Sequence, residues 1–244
     1  MSFEVVFAVP MECESCVESV YSALRPVEGV KNIDIDLDNN LVTTTGSSPP
    51  SEIVKAIQAT GRDAIIRGTG KANSAAVCIL ESFDPKDSSQ PVKGLARIVS
   101  VGPDSLYIDL TVNGLPKGQY YPSIRTSGNL LEGALSTGAL FYKLDPVSID
   151  VPSDKTTAIA LIGALAGTGL FSGQSFLRAD LAIDQLIGRS VILSRLKDEI
   201  ALDSLCGVIA RSAGAWENDK QVCSCTGKTV WQERTDAVQK GLTV

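Results

Sequence analysis

Histidine occurs nowhere in the 244 residues. Its absence excludes Ser-His-Asp and Cys-His nucleophilic sites, and any zinc or copper centre built on imidazole. Long apolar stretches are also missing. The longest runs roughly from Ala158 to Ala166, too short for a bilayer, which needs about 20 residues. The opening MSFEVVFAVP carries an acid at Glu4 and no basic flank, so it does not read as a signal peptide. These features place the chain in the cytosol, where thiols stay reduced. An excess of positive charge is lacking too: the net charge is −6, which disfavours general nucleic-acid binding.

Cysteine, by contrast, is present six times: Cys13, Cys16, Cys78, Cys206, Cys223 and Cys225. Without imidazole, a transition metal held here would rest mainly on thiolates. The length points to more than one domain. In residues 1–70, Phe3, Val5, Phe7 and Val9 alternate as a half-buried strand does. Val17, Val20, Tyr21 and Leu24 share one helix face. Ile33, Ile35 and Leu37 alternate with aspartates before an Asp38-Asn39-Asn40 turn, and Leu41 to Thr45 return. Pro49-Pro50-Ser51 opens a second helix carrying Ile53, Ala56 and Ile57, and Ala64 to Arg67 form a last strand. The order is βαββαβ, a ferredoxin-like α+β domain.

Gly68-Thr69-Gly70-Lys71 reads as a linker. Residues 71–215 then change character. Strands are expected at 77–80, 95–101, 106–112, 119–125, 139–144, 186–194 and 205–210, with a turn at Asn113-Gly114. Many short strands with Gly-rich turns indicate an all-β sandwich or barrel. The apolar stretch 156–173 reads either as a strand with a Gly-rich loop or as an exposed contact patch. Residues 216–244 are polar and weakly patterned, an irregular tail too small for its own core. Such a tail drapes over another surface or stays mobile until it meets one.

The chemistry concentrates at the two cysteine pairs. Cys13 sits in a strand-to-helix loop and Cys16 in the first helical turn, where the helix N-terminus favours thiolate. Two thiolates can converge on one soft ion, Cu(I) foremost. A structural zinc site needs four ligands, and no second CxxC exists, so zinc is not expected. A redox dithiol is the rival reading, although that motif belongs to a larger βαβ fold. A half-buried pair without chemistry is the third. Cys223-Ser224-Cys225 lies in the tail beside Lys220 and Lys228, which favour thiolate. Its spacing makes a disulfide strained and suits metal relay or thiol exchange.

Met11-x-Cys13-x-x-Cys16 in a βαββαβ segment resembles the heavy-metal-associated domain of copper chaperones and copper ATPases, over residues 3–68. That resemblance implies Cu(I) on Cys13 and Cys16, with Met11 packed beneath the loop and Arg62 offsetting the bis-thiolate charge. LIGRSVILS (186–194) and Cys206-Gly207-Val208-Ile209-Ala210 resemble strands of Cu/Zn superoxide dismutase. The likeness spans roughly residues 72–212 and implies a Greek-key barrel. Where that enzyme has metal-site histidines, this chain has Ser123, Arg125, Leu140 and Ser194; Asp203 stands at its arginine and Ala134 opposite Cys206. Superoxide dismutation is therefore not expected, and Cys78 and Cys206 read as core thiols.

Together, the copper-binding domain, the dismutase-like barrel and the CxC tail resemble the family of copper chaperones for superoxide dismutase. The resemblance implies delivery of Cu(I) to the dismutase by a chain that is a metallochaperone rather than an enzyme. The barrel would dock as a heterodimer, with a homodimer as the alternative and with Gly207 and Ile209 on the last strand as interface candidates. Cys223 and Cys225 would promote the target's intrasubunit disulfide. The expected compartment is the cytoplasm, with the mitochondrial intermembrane space as a second. The competing readings are a thiol–disulfide oxidoreductase and a Cu(I) buffer.

Overall fold

The computed structural model describes residues 2–152, 170–216 and 227–239. The first unit comprises β1 (Phe3–Ala8), α1 (Glu14–Leu24), β2 (Val30–Asp36), β3 (Leu41–Gly46), α2 (Pro50–Gln58) and β4 (Ile65–Thr69). The strands lie in the order β2-β3-β1-β4, all antiparallel. This is the βαββαβ arrangement that the alternation in β1 and the helical spacing in α1 imply. Phe3, Val5 and Phe7 point from one face of β1 into a core closed by Val20, Leu24, Ile53, Val54 and Ile57. The apolar stripe of α1 is narrower than its periodicity suggests. Tyr21 remains 48% exposed, at a groove between α1 and β2 lined also by Val17, Ile33 and Ile35.

The second unit is all-β: β5 (Ala75–Glu81), β6 (Val92–Gly102), β7 (Ser105–Pro116), β8 (Gly118–Arg125), β9 (Leu140–Lys143), β10 (Val147–Ile149), β11 (Val151–Pro152), β12 (Leu170–Ala179), β13 (Ser190–Ser194) and β14 (Leu205–Ser212). The order β10-β8-β13-β14-β5-β6-β7-β12-β11, with β9 also on β8, brings first and last strands together and requires long crossovers. β10 and β11 stand at opposite ends of this path although one residue, Asp150, separates them in sequence. The sheet therefore curls back on itself. At Gly173 in β12 a Cβ would lie 2.8 Å from the Ser148 carbonyl, so the two ends touch backbone to backbone. The interior holds Cys78, Leu80, Ile98, Ile108, Ile124 and Ile149.

Several local readings change. Asn113-Gly114 is not a turn: β7 runs through it to Pro116, with Gly114 at φ +72° and a register shift where β12 pairs. This is a bulge rather than a hairpin tip. Only the second half of 186–194 is strand, because a 3-10 turn at Ile183–Gln185 precedes it and Gly188 turns at φ +82°. The stretch 156–173 lies outside the described residues except for its end, which opens β12.

Gly68–Lys71 is not a free linker. Gly68, Thr69 and Gly70 are buried, and a Cβ on Gly68 would lie 2.0 Å from the Gly214 carbonyl. Thr69 N–H donates to Ala213 O at 3.2 Å and Ala215 N–H to Gly70 O at 2.7 Å. The two units also share a core, since Val99, Val101, Tyr107 and Phe176 of the all-β unit pack into the core of the first. Tyr107 links Phe3 and Phe176 with ring centroids 6.3 and 4.8 Å away.

The tail contains an element that the sequence pattern does not announce, the helix α3 (Val230–Gln239). Arg234 on α3 donates to Asp63 at 2.9 and 3.2 Å, and the Trp216 indole donates to the Glu4 carboxylate. Trp216 and Trp231 line a cleft with Val6, Ala8 and Arg67. Val6 and Ala8 alternate with the core residues of β1, so the tail lies over the sheet face away from α1 and α2.

Candidate metal centre

Cys13 is the N-cap residue of α1, in extended conformation (φ −162°, ψ 171°) and without a side-chain cap bond. Its carbonyl accepts the Cys16 N–H at 2.9 Å, which starts the helix and turns both side chains toward the loop. The two sulfurs lie 3.8 Å apart and both thiols are free. That is beyond the roughly 2.05 Å of a disulfide. It is within the roughly 4.6 Å spanned by two thiolate–metal bonds of about 2.3 Å each. Cys13 is exposed and Cys16 half-buried, so the pair opens to solvent on one side. Among the described residues, no group of three or more His, Cys, Asp or Glu side chains gathers at one place; the loop offers two thiolates.

The surroundings favour the charged form of Cys16, whose thiol is lowered to about 7. The largest cause is the Glu12 backbone N–H, followed by a hydrogen bond from Arg62 and then the Cys13 backbone. Arg62 is held by Thr60, donating to its carbonyl and to its hydroxyl at 3.2 Å each. The Ser15 hydroxyl lies 3.0 Å from Cys13 Sγ. Met11 is 5% exposed and belongs to the core beneath the loop, and its N–H donates to Asn40 Oδ1 at 2.7 Å. Thus Met11, Cys13, Cys16 and Arg62 meet at one place. Asn40 joins them, although the Asp-Asn-Asn pattern marks it only as a turn residue.

Other candidates lie elsewhere. Cys78 and Cys206 are buried, and burial pushes each thiol up to about 12. Cys206 packs with Ala134 and Ile192, which sets Ala134 opposite it as the sequence suggests. Ser123 pairs across strands with Lys143, and Arg125 with Leu140; Arg125 donates to the Gly138 carbonyl. Cys223 and Cys225 lie outside the described residues.

Gly207 and Ile209 need correction as interface side chains. Alternation along β14 turns Ile209 into the barrel core at 1% exposure. Gly207 is also buried, with Ile79 O at 1.8 Å from where a Cβ would stand. The residues that face outward are Val208 (37% exposed) and Ala210, beside Ile79 (51%) on β5.

A family model described as the heavy-metal-associated domain matches residues 5–63. The superoxide dismutase 1 copper chaperone of Debaryomyces hansenii is 70% identical, covering 99% of this chain and 98% of its own. The Saccharomyces cerevisiae protein of the same name is 41% identical, covering 99% and 98%. Among solved structures, the copper(I)-loaded first domain of the human copper chaperone for SOD1 is 33% identical, covering 29% of this chain and 99% of its own, with a TM-score of 0.28. Near-complete coverage at 70% identity, on a chain whose loop pairs Cys13 with Cys16 above Met11, shows that this protein belongs to the family of copper chaperones for superoxide dismutase.

Proposed function

We propose that the chain carries one Cu(I) on Cys13 and Cys16, delivers it to a docked Cu/Zn superoxide dismutase subunit, and promotes that subunit's intrasubunit disulfide through Cys223 and Cys225. The observation that carries this reading is the exposed pair of sulfurs 3.8 Å apart, one of them held toward thiolate by the Glu12 N–H and Arg62. Two thiolates suit a soft monovalent ion. Arg62 offsets the net negative charge of a bis-thiolate complex without occupying a coordination position. Met11 fills the core below and keeps the loop from collapsing inward.

Delivery proceeds by ligand exchange. An incoming thiolate adds to the metal and Cys13, the more exposed of the two, leaves first. The tail cysteines are the natural acceptors within the chain. In the disulfide step a tail cysteine forms a transient mixed disulfide with a target cysteine, and the second target cysteine displaces it. Net oxidation of two thiols releases two protons and two electrons, which molecular oxygen accepts. Docking uses the outward face of β5 and β14. Ile79 and Val208 are exposed apolar side chains on that face, and Phe83 (41% exposed) follows β5 two residues on. A barrel sharing the dismutase interface pattern can replace one subunit of a self-complementary dimer. The cytoplasm, with the mitochondrial intermembrane space as a second site, is the compartment this reading requires.

The test loads the protein with one Cu(I) under nitrogen and mixes it with zinc-loaded, copper-free, disulfide-reduced dismutase. Oxygen is then admitted and superoxide removal assayed. Wild type should activate the enzyme; Cys13→Ser/Cys16→Ser and Cys223→Ser/Cys225→Ser should not. Retention of copper with no activation by wild type would favour a Cu(I) buffer. Turnover of generic disulfides without copper would favour a thiol oxidoreductase.

A further inference from the structure

The segment from Val9 to Cys13 contains two buried residues around a proline: Val9 at 0% and Met11 at 5% exposure. Pro10 has no N–H to give, so the backbone donors of Val9 and Met11 must find partners inside. Both end on one residue. Val9 N–H donates to the Asn40 carbonyl at 2.9 Å, and Met11 N–H to the Asn40 side-chain oxygen at 2.7 Å. The next amide along the chain, that of Glu12, is the largest influence that lowers the Cys16 thiol. A single residue of the β2–β3 turn therefore fixes the Pro10–Met11 peptide, two residues before Cys13.

The conformation of Asn40 supports the same conclusion. It sits at φ +56°, closing a turn in which its N–H donates to Leu37 O at 3.3 Å. Glycine adopts this left-handed geometry at least cost, and asparagine is among the few other residues that tolerate it. At a position where glycine would suffice for the turn, the side chain has separate work, and its acceptor oxygen is spent on the metal loop. The turn is braced so that this oxygen does not wander: Asn39 N–H donates to Asp36 Oδ1 at 2.9 Å, and Asn39 Nδ2 to Asp36 Oδ2 at 2.7 Å.

We infer that Asn40 is a positioning residue for Cu(I), holding the Pro10–Met11 peptide at the root of the loop so that Cys13 and Cys16 keep the metal until an incoming thiolate displaces one of them. The inference rests on the assignment of Cu(I) to that cysteine pair. It separates two roles for one residue, because Asn40→Gly keeps the turn and loses the acceptor, whereas Asn40→Asp keeps both.

The experiment compares full-length wild type, N40G, N40D and Cys13→Ser/Cys16→Ser, each given one Cu(I) under nitrogen. Release into excess chromogenic Cu(I) chelator is followed by stopped flow, with thermal melts and Met11 amide exchange measured on the same samples. N40G should melt within a few degrees of wild type, lose Met11 amide protection and release Cu(I) about tenfold faster. N40D should release it within about threefold of wild type, with Met11 protected. A wild-type release rate in N40G despite an unprotected Met11 would overturn the positioning role, as would equally fast release from N40D with Met11 protected. If wild type releases copper as fast as the double serine variant, the assignment of Cu(I) to Cys13 and Cys16 fails instead.

Discussion

Four described cysteines share one sulfur chemistry and differ only in what surrounds them. At Cys16 the donors Glu12 N–H and Arg62 bring the thiol to about 7. At Cys78 and Cys206 burial takes it to about 12, outweighing at Cys78 a hydrogen bond from the Val191 backbone. Nucleophilicity follows the thiolate fraction, so alkylation should sort them. In the metal-free protein at pH 7.5, iodoacetamide should label Cys16 within minutes and leave Cys78 and Cys206 unmodified until the chain is denatured, as read by peptide mass spectrometry. Arg62→Ala removes one stabiliser of the thiolate, so the Cys16 pKa rises and labelling at pH 7 slows several-fold, while at pH 10 the two proteins react alike. Equal rates at pH 7 would mean that the Glu12 and Cys13 groups set this thiol without Arg62. The pair was legible from its spacing, and Met11 and Arg62 only through the resemblance to the heavy-metal-associated domain. Asn40 was not, because its partner lies 29 residues away and a side chain that bonds across a fold leaves no periodic trace.

Helices and strands show the same division between local and distant causes. The βαββαβ order and most barrel strands follow from alternation and turn residues. Three features do not. Helix α2 begins at Pro49-Pro50 with no side-chain cap of its own; the cap comes from Asp109 on β7, whose carboxylate accepts the Ser51 N–H at 2.9 Å and the Ser51 hydroxyl at 2.6 Å. The buried linker is a second case, since two glycines read as flexibility until a neighbouring backbone is known to lie against them. Helix α3 is the third: its sequence has little apolar face, and an ion pair holds it in place. Asp109 is 1% exposed and also faces Arg97 at 3.8 Å. Asp109→Ala should therefore cost about 3–5 kcal/mol, because it strands a buried guanidinium. Ser51→Ala should cost about 1 kcal/mol, and both should accelerate amide exchange in the first turn of α2. Asp63 gives a pH signature. Burial alone would raise its carboxyl, but hydrogen bonds from Arg234, Gln58 and the Ala64 N–H outweigh this and hold it below the usual range. A carboxylate depressed in the folded state stabilises above its unfolded value and loses that contribution as pH falls through the folded one. Docking of α3, followed through Trp231 fluorescence, should thus be unaffected at neutral pH and weaken below about pH 4, and Arg234→Ala should abolish that acid transition.

The whole molecule places a thiol loop and an apolar face on one packed body. The shared core around Tyr107, the Ser51–Asp109 bonds and the Thr69–Ala213 hydrogen bond tie the two units together, so the cysteine loop keeps a set orientation relative to β5 and β14. Docking and metal binding can then be separated by substitution. Val208 and Ile79 point outward, and a charge there meets solvent in the free protein but an apolar surface in a complex. Val208→Asp and Ile79→Asp should leave Cu(I) loading and the melting temperature unchanged while weakening association with reduced, copper-free dismutase at least tenfold, measured by calorimetric titration. Ile209→Ala tests the opposite side of the same strand. Its side chain lies in the barrel core, so truncation should cost about 2–5 kcal/mol of stability through the cavity it leaves. Below the unfolding transition, association should stay within a few-fold of wild type. If Ile209→Ala weakened association more than Val208→Asp did, the partner would be sensing the barrel interior rather than its outer face, and docking through β5 and β14 would have to be abandoned.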